Sequence, residues 1–150
     1  MNLAEKMERR NQKLIDALLS RINRDCPDAV DMIGICGSFC NGDFHERSDL
    51  DLMILINDPK AYGIAECFVI GEVGFDFYCT SWDSLEEDAK CGTAHLAKLM
   101  DTKIVYSRTD DAMKRYTALR EKARAILDAP FSADDLARAE KEYRNAELAF

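Results

Sequence analysis

Two short apolar segments constrain this chain more than anything else in it. Val30 to Gly37 reads Val-Asp-Met-Ile-Gly-Ile-Cys-Gly, and Leu50 to Ile56 reads Leu-Asp-Leu-Met-Ile-Leu-Ile. The first is β-rich and runs into a Gly-Ser turn at Gly37-Ser38. The second is stopped by Asn57-Asp58-Pro59. Short apolar runs bounded by such turn residues predict buried strands.

The polar residues between the two strands carry the chemistry. Side chains at i and i+2 of a strand leave the same face, about 6–7 Å apart along it, so Asp49 and Asp51 are expected to point together. Two hard carboxylates facing one way suit Mg²⁺, which takes oxygen ligands and completes its shell with water and substrate phosphates. Gly37 lets the backbone approach a phosphate closely, and Ser38 adds a hydroxyl donor beside the N–H groups of the turn that follows. A metal-bound triphosphate is the ligand the two halves can share.

Gly37-Ser38, Gly42-Asp43 and Ser48-Asp49-Leu50-Asp51-Leu52 together resemble the defining motif of the DNA polymerase β-type nucleotidyltransferase superfamily. The likeness is closest to its small bacterial branch of antibiotic nucleotidyltransferases and minimal antitoxins. It covers residues 29 to 80 by motif and extends less specifically to about residue 128. The resemblance implies a third carboxylate on a later strand. In Gly74-Phe75-Asp76-Phe77-Tyr78 that acid is Asp76, set between two aromatic side chains. One position departs from the pattern: Asn41 stands where many small members carry arginine. The implied fold is α/β (α+β), a mixed twisted sheet flanked by helices.

Local signals agree with that architecture. Leu3, Met7, Leu14, Ile15, Leu18, Leu19 and Ile22 make an apolar stripe at helical spacing, opened by the cap pair Asn2 and Glu5. Phe68-Val69-Ile70, a turn at Gly71, and Val73 to Thr80 predict two strands. Ser84-Leu85-Glu86-Glu87 reads as a capping box opening a short helix. Lys103 to Tyr106 is expected as a last strand. Asp110 to Leu127 is expected as a helix with Met113, Tyr116, Leu119, Ala123 and Ile126 on one side.

Residues 1–128 are expected to form the catalytic domain. Residues 129–150 are expected to form a C-terminal helix after Asp128-Ala129-Pro130, with Ser132-Ala133-Asp134-Asp135 as its start. The pattern breaks off at Phe150, which suits a trimmed chain, the opening of a helical domain, or a minimal protein that pairs with itself as a homodimer. A chain of 150 residues, 47% of them hydrophobic, fits a single domain with a real core. No apolar run approaches 18 residues and the N-terminus is not signal-like, so a soluble, cytoplasmic protein without a membrane partner is expected. The six cysteines (Cys26, Cys36, Cys40, Cys67, Cys79, Cys91) show no metal-type spacing and are read as reduced core thiols. His45 and His95 are isolated and are assigned no role.

Charge narrows the partner. Residues 1–24 hold six basic and three acidic side chains, net +3; residues 25–101 hold four and sixteen, net −12; residues 102–150 hold ten and nine, net +1. So much acidity on the catalytic segment disfavours a nucleic-acid acceptor, which needs a basic footprint. It suits a cationic acceptor such as an aminoglycoside, and equally a solvated acidic face around Glu86-Glu87-Asp88.

The expected chemistry is transfer of a nucleoside monophosphate to an acceptor hydroxyl, with release of pyrophosphate. By the resemblance, Asp49 and Asp51 hold the metal carrying the triphosphate, while Asp76 ligates a second Mg²⁺ and serves as general base. ATP is the expected donor, although no residue identifies the base. Arg47, Lys98 and Lys103 are cations within possible reach of phosphate. Three readings stand at this stage: transfer to a small, cationic, hydroxylated molecule; adenylylation of a partner protein, as antitoxins of this branch do; and a catalytically silent nucleotide-binding or interaction module.

Overall fold

The computed structural model describes residues 2–91, 99–130 and 132–148, with the side chains of Asn41, Cys91, Glu142 and residues 145–148 not among the described atoms. His95 and Lys98 therefore lie outside the described residues.

The chain opens with helix α1 (Leu3–Asp25). Its capping box is complete: the Asn2 side chain accepts from the Glu5 N–H at 2.9 Å, and the Glu5 carboxylate accepts from the Asn2 N–H at 3.0 Å. The buried stripe of α1 is Met7, Asn11, Ile15, Leu18 and Ile22. It departs from the expected stripe twice, since Leu3 is exposed in the first turn and the polar Asn11 takes a core position. Leu14 and Leu19 pack against the core from its margin.

Strand β1 (Val30–Cys36) follows, then a one-turn helix α2 (Ser38–Asn41) and strand β2 (Leu50–Ile56). All seven residues of β1 and six of seven in β2 are buried, because these strands sit at the middle of the sheet and are covered on both faces. A 3₁₀ turn (Pro59–Ile64), capped by Asp58, leads to strand β3 (Glu66–Ile70), a tight turn at Gly71, and strand β4 (Val73–Ser81). Helix α3 (Trp82–Cys91), strand β5 (Lys103–Ser107), helix α4 (Asp110–Leu127) and helix α5 (Ala133–Leu148) complete the described chain.

The sheet is mixed, with order β3-β4-β2-β1-β5. After β2 the chain skips one position, lays β3 at the edge, and returns as β4 into the gap. β4 therefore runs parallel to β2, while the β1/β2, β1/β5 and β3/β4 pairs are antiparallel. One face packs under α1 through Ile33, Ile35, Leu50, Leu52, Ile54, Phe75 and Phe77. The other packs under α3 and α4 through Met32, Met53, Leu55, Trp82, Tyr116 and Leu119.

Several expectations shift by a turn or a face. Helix α3 begins at Trp82 rather than Ser84; Ser81 Oγ accepts from the Ser84 N–H at 3.2 Å, and the Trp82 side chain is drawn into the second core. On α4 the buried side is Ala112, Tyr116, Leu119 and Ala123, which leaves Met113 and Ile126 partly exposed. Of the five described cysteines, all free, Cys67 is exposed on edge strand β3, so a core-thiol reading does not hold there. At the far end of β1 from Gly37, Asp31 is buried at 7% exposure and accepts from Trp82 Nε1 (2.7 Å), Asn57 Nδ2 (2.6 Å) and Arg108 Nη2 (2.8 Å). No helix among the described residues is long and apolar enough to cross a membrane.

Candidate functional site

The alternation of β2 and β4 decides where the acids go. Leu50 and Leu52 point into the core under α1, as do Phe75 and Phe77. Asp51 and Asp76, between them, must then leave the opposite face. They are register partners on the parallel β2/β4 pair, and Asp51 is also the partner of Cys36 on β1. The three side chains form one row across three strands, with neighbouring strands about 4.8 Å apart. Asp49 precedes β2 by one residue and is exposed; Asp76 is exposed and Asp51 half-buried.

Gly37 closes this row from the end of β1. Its backbone has φ +78° and ψ −157°, a combination reserved for glycine. A Cβ built there would stand 2.8 Å from Asp51 Oδ2. The turn and the carboxylate are thus in direct contact, and only a residue without a side chain admits both. Ser38, half-buried, opens α2, whose first turn is closed by the Cys40 N–H donating to the Gly37 carbonyl at 3.1 Å. Phe39 and Phe44 pack with ring centroids 4.9 Å apart, which ties α2 to the loop leading toward Asp49.

That loop is organised around His45, to which the sequence assigned no role, together with Ser48 of the motif and Arg47. The His45 N–H donates to Ser48 Oγ (2.8 Å), the Ser48 N–H to the His45 carbonyl (2.9 Å), and the Arg47 N–H to His45 Nδ1 (3.1 Å). From α1, Arg10 Nη2 donates to the Ser48 carbonyl at 3.0 Å, and its guanidinium lies 5.3 Å from the Phe75 ring centre. Burial lowers the Arg10 pKa, and the negative charge of Asp49 opposes that shift. Arg10 therefore holds the residue immediately before Asp49.

Beneath the acid row lies a layer of neutral donors. Cys36 Sγ is 3.5 Å from the Tyr78 hydroxyl and 3.2 Å from Thr102 Oγ1. Gly34 permits the second contact, since a Cβ there would collide with the Thr102 side chain. Burial pushes the Tyr78 phenol well above its ordinary value, with Cys36 and Asp51 adding to the shift, so it stays protonated. Tyr116, also buried, is pushed up to about 12 and donates to the Leu99 carbonyl at 3.2 Å. Tyr78 could have been found from sequence, as the i+2 neighbour of Asp76. Thr102 had no local signal.

Among the described residues no three His, Cys, Asp or Glu side chains converge into a ready-made metal shell. The donor set nevertheless fits a hard cation. Asp51 and Asp76 are neighbouring carboxylates, and no ion pair among the described residues engages Asp49 or Asp76. A cation drawing oxygens together would relieve their repulsion. The expected phosphate cations lie elsewhere. Arg47 pairs with Glu72 at 3.0 Å on the surface, and Lys103, beside Ile35 in the register, belongs to the α1 face of the sheet.

A family model described as a nucleotidyltransferase domain matches residues 12–126. No curated protein sequence matches the chain significantly. Among solved structures, a nucleotidyltransferase-like protein from Exiguobacterium sibiricum 255-15 is similar at 11% identity and a TM-score of 0.48, over 71% of this chain and 38% of that one. This chain thus spans well under half the length of that relative. A structure described as a toxin-antitoxin with AMP-PNP is similar at 14% identity and a TM-score of 0.45, over 89% of this chain and 98% of that one.

Proposed function

The chain belongs to the nucleotidyltransferase domain family, and from that premise we propose that it transfers a nucleoside monophosphate from a nucleoside triphosphate, ATP as the expected donor, to an acceptor hydroxyl, releasing pyrophosphate. The observation that carries this reading is the register pairing of Asp51 with Asp76 beside Gly37. It joins a carboxylate pair to a turn whose backbone can come close to a phosphate.

In this reading Asp49 and Asp51 would hold the Mg²⁺ that carries the triphosphate, and Asp76 with Asp51 would hold a second. Divalent ions held by these carboxylates would supply the charge that stabilises the attacking and departing oxygens of an in-line displacement. Asp76, the more exposed member of the strand pair, would receive the acceptor's proton. Gly37 and Ser38 take the triphosphate's oxygens. The neutral Tyr78 phenol, paired with Cys36 Sγ, stands near Asp51 without adding charge.

For the acceptor, we propose a small cationic molecule bearing a hydroxyl. The net −12 of residues 25–101 exceeds what two divalent ions cancel, and the surplus favours an ammonium-bearing partner over a polyanion. Nucleotide binding is tested by thermal shift with ATP in Mg²⁺ and in EDTA. A much larger rise with Mg²⁺ is expected, and equal rises would sink the metal-linked site. Mass spectrometry of acceptors after incubation with Mg·ATP then reads the product. A mass increase on an aminoglycoside-type compound supports the small-molecule reading. A nucleotide found only on a protein would replace it, and none on either would leave a silent binding module.

A further inference from the structure

Of the three acids, Asp51 and Asp76 are fixed by strand register, but Asp49 stands outside it, since the pairing of β2 begins at Leu50 with β4 and at Asp51 with β1. Its neighbour is held from α1 instead. Arg10 Nη2 donates to the Ser48 carbonyl at 3.0 Å, one peptide bond before Asp49. The same guanidinium lies 5.3 Å from the ring centre of Phe75, the residue before Asp76. Phe75 is also the register partner of Leu50, so Arg10 touches the chain next to both acids, where the β2/β4 pairing begins.

The orientation of Arg10 is itself set. Its Nε and Nη2 both donate to Asn11 Oδ1, at 3.1 Å and 3.0 Å. A guanidinium has donors only, so the atom facing it is the amide oxygen. Two bonds from one planar fork to one oxygen, with a third to Ser48, fix the plane of the group as well as its position. Asn11 is 2% exposed in the apolar stripe of α1, and its Nδ2 is buried with no hydrogen-bond partner. Leucine there would match the stripe and leave no donor unsatisfied, at the loss of the oxygen that orients Arg10.

We infer that Arg10 is a positioning residue for nucleotidyl transfer: through the Ser48 carbonyl and the Phe75 ring it sets Asp49 against Asp51 and Asp76, and Asn11 holds it in that orientation. The inference rests on the carboxylates binding Mg·ATP as proposed above. Arg10 touches no substrate in this role, because Phe75 faces the core under α1 while Asp76 leaves the other side of β4. Burial and the Asp49 charge shift the Arg10 pKa in opposite directions, which places the Asp49 carboxylate within electrostatic reach. A cation there repels Mg²⁺, so removing it would tighten metal binding if charge were its whole effect. Loss of position would weaken it.

The test titrates ATP into the full chain at a series of Mg²⁺ concentrations and reads the Mg²⁺ midpoint, with melting temperature measured alongside. Arg10→Ala should raise the midpoint about tenfold or more, the scale of losing a group that orients a metal ligand. Asn11→Leu should move it in the same direction while melting at or above wild type, a combination that a merely structural role does not produce. Arg10→Lys keeps the charge but not the planar fork, and should stay closer to alanine than to wild type. Arg9→Ala, which removes an exposed charge from the same helix, should leave the midpoint unchanged. An unchanged or lowered midpoint in Arg10→Ala overturns the inference, as does full rescue by lysine. If Arg10→Ala does not fold, an unchanged midpoint in Asn11→Leu overturns it instead. Wild-type ATP binding that ignores Mg²⁺ would sink the transfer reading itself, whereas a Mg²⁺-dependent wild type with unmoved variants sinks only the role of Arg10.

Discussion

Replacing Gly37 by alanine should disable the site through two separable costs. The backbone cost comes from φ +78° with ψ −157°, a region that non-glycine residues occupy at roughly 1–3 kcal/mol. The contact cost comes from the new Cβ, 2.8 Å from Asp51 Oδ2, which forces the carboxylate to swing or the turn to move. Crowding of this kind costs about 1–3 kcal/mol more. Gly42 is the internal control. It has the same φ of +78° but ψ 2°, and a Cβ there meets nothing within 4 Å, so Gly42→Ala should cost only the ~1–2 kcal/mol of a left-handed alanine. At about 2–4 °C per kcal/mol for a chain of this size, Gly37→Ala should melt clearly below Gly42→Ala. A double-mutant cycle isolates the contact: in an Asp51→Ala background, Gly37→Ala should cost about 1–2 kcal/mol less, within the range of coupling between touching residues. Urea denaturation of the four proteins measures it. Equal costs for the two glycine variants, with a coupling below about 0.5 kcal/mol, would show that the Asp51 carboxylate does not stand against Gly37.

Other expectations follow from the same contacts. Asp76→Asn should leave Mg·ATP binding intact and lower single-turnover transfer by ~100-fold or more, the scale of losing one electrostatic stabiliser; unchanged turnover would remove Asp76 from the site. Tyr78→Phe removes the phenolic donor beside Cys36 and should cost transfer more than stability, read by comparing kcat with the denaturation midpoint; equal rates would limit Tyr78 to packing. For Asp31, burial raises its pKa but the donors Trp82, Arg108 and Asn57 more than reverse this, so the folded value lies below the ordinary one. Its contribution is therefore present above the unfolded pKa of about 3.9 and is lost as pH falls through the folded value. Asp31→Asn should cost roughly 2–4 kcal/mol near pH 7, less than a fully buried pair because Arg108 is partly exposed. The gap to wild type should shrink toward pH 2, and a pH-independent gap in denaturation midpoints would refute the linkage.

Much of this protein was legible in one dimension because the signals are local. The Asn2/Glu5 box opens α1 as the sequence predicts, Leu50–Ile56 is a strand at both ends, and Asp110–Leu127 is a helix over its expected span. Each depends on propensity, periodicity and capping within a few residues. Where local signals erred, tertiary contact overrode them. Trp82 is drawn onto Asp31, fifty-one residues away, and helix α3 starts earlier than the Ser84 box implies.

The juxtaposition of Asp51 with Asp76 belongs to the tertiary structure alone. It requires β3 to go to the edge and β4 to return parallel beside β2, in a register that sets the two acids opposite each other. A slip of one residue would place Phe75 or Phe77 beside Asp51, with the acid on the wrong face. Burial of Phe75 and Phe77 under α1 forbids that slip. The same is true of Gly37 against Asp51, and of Thr102 against Cys36 across Gly34. The sequence by itself determined which residue types could do this chemistry and on which strands they lie. Only packing, by selecting the register that buries the aromatic pair, decided that those residues meet.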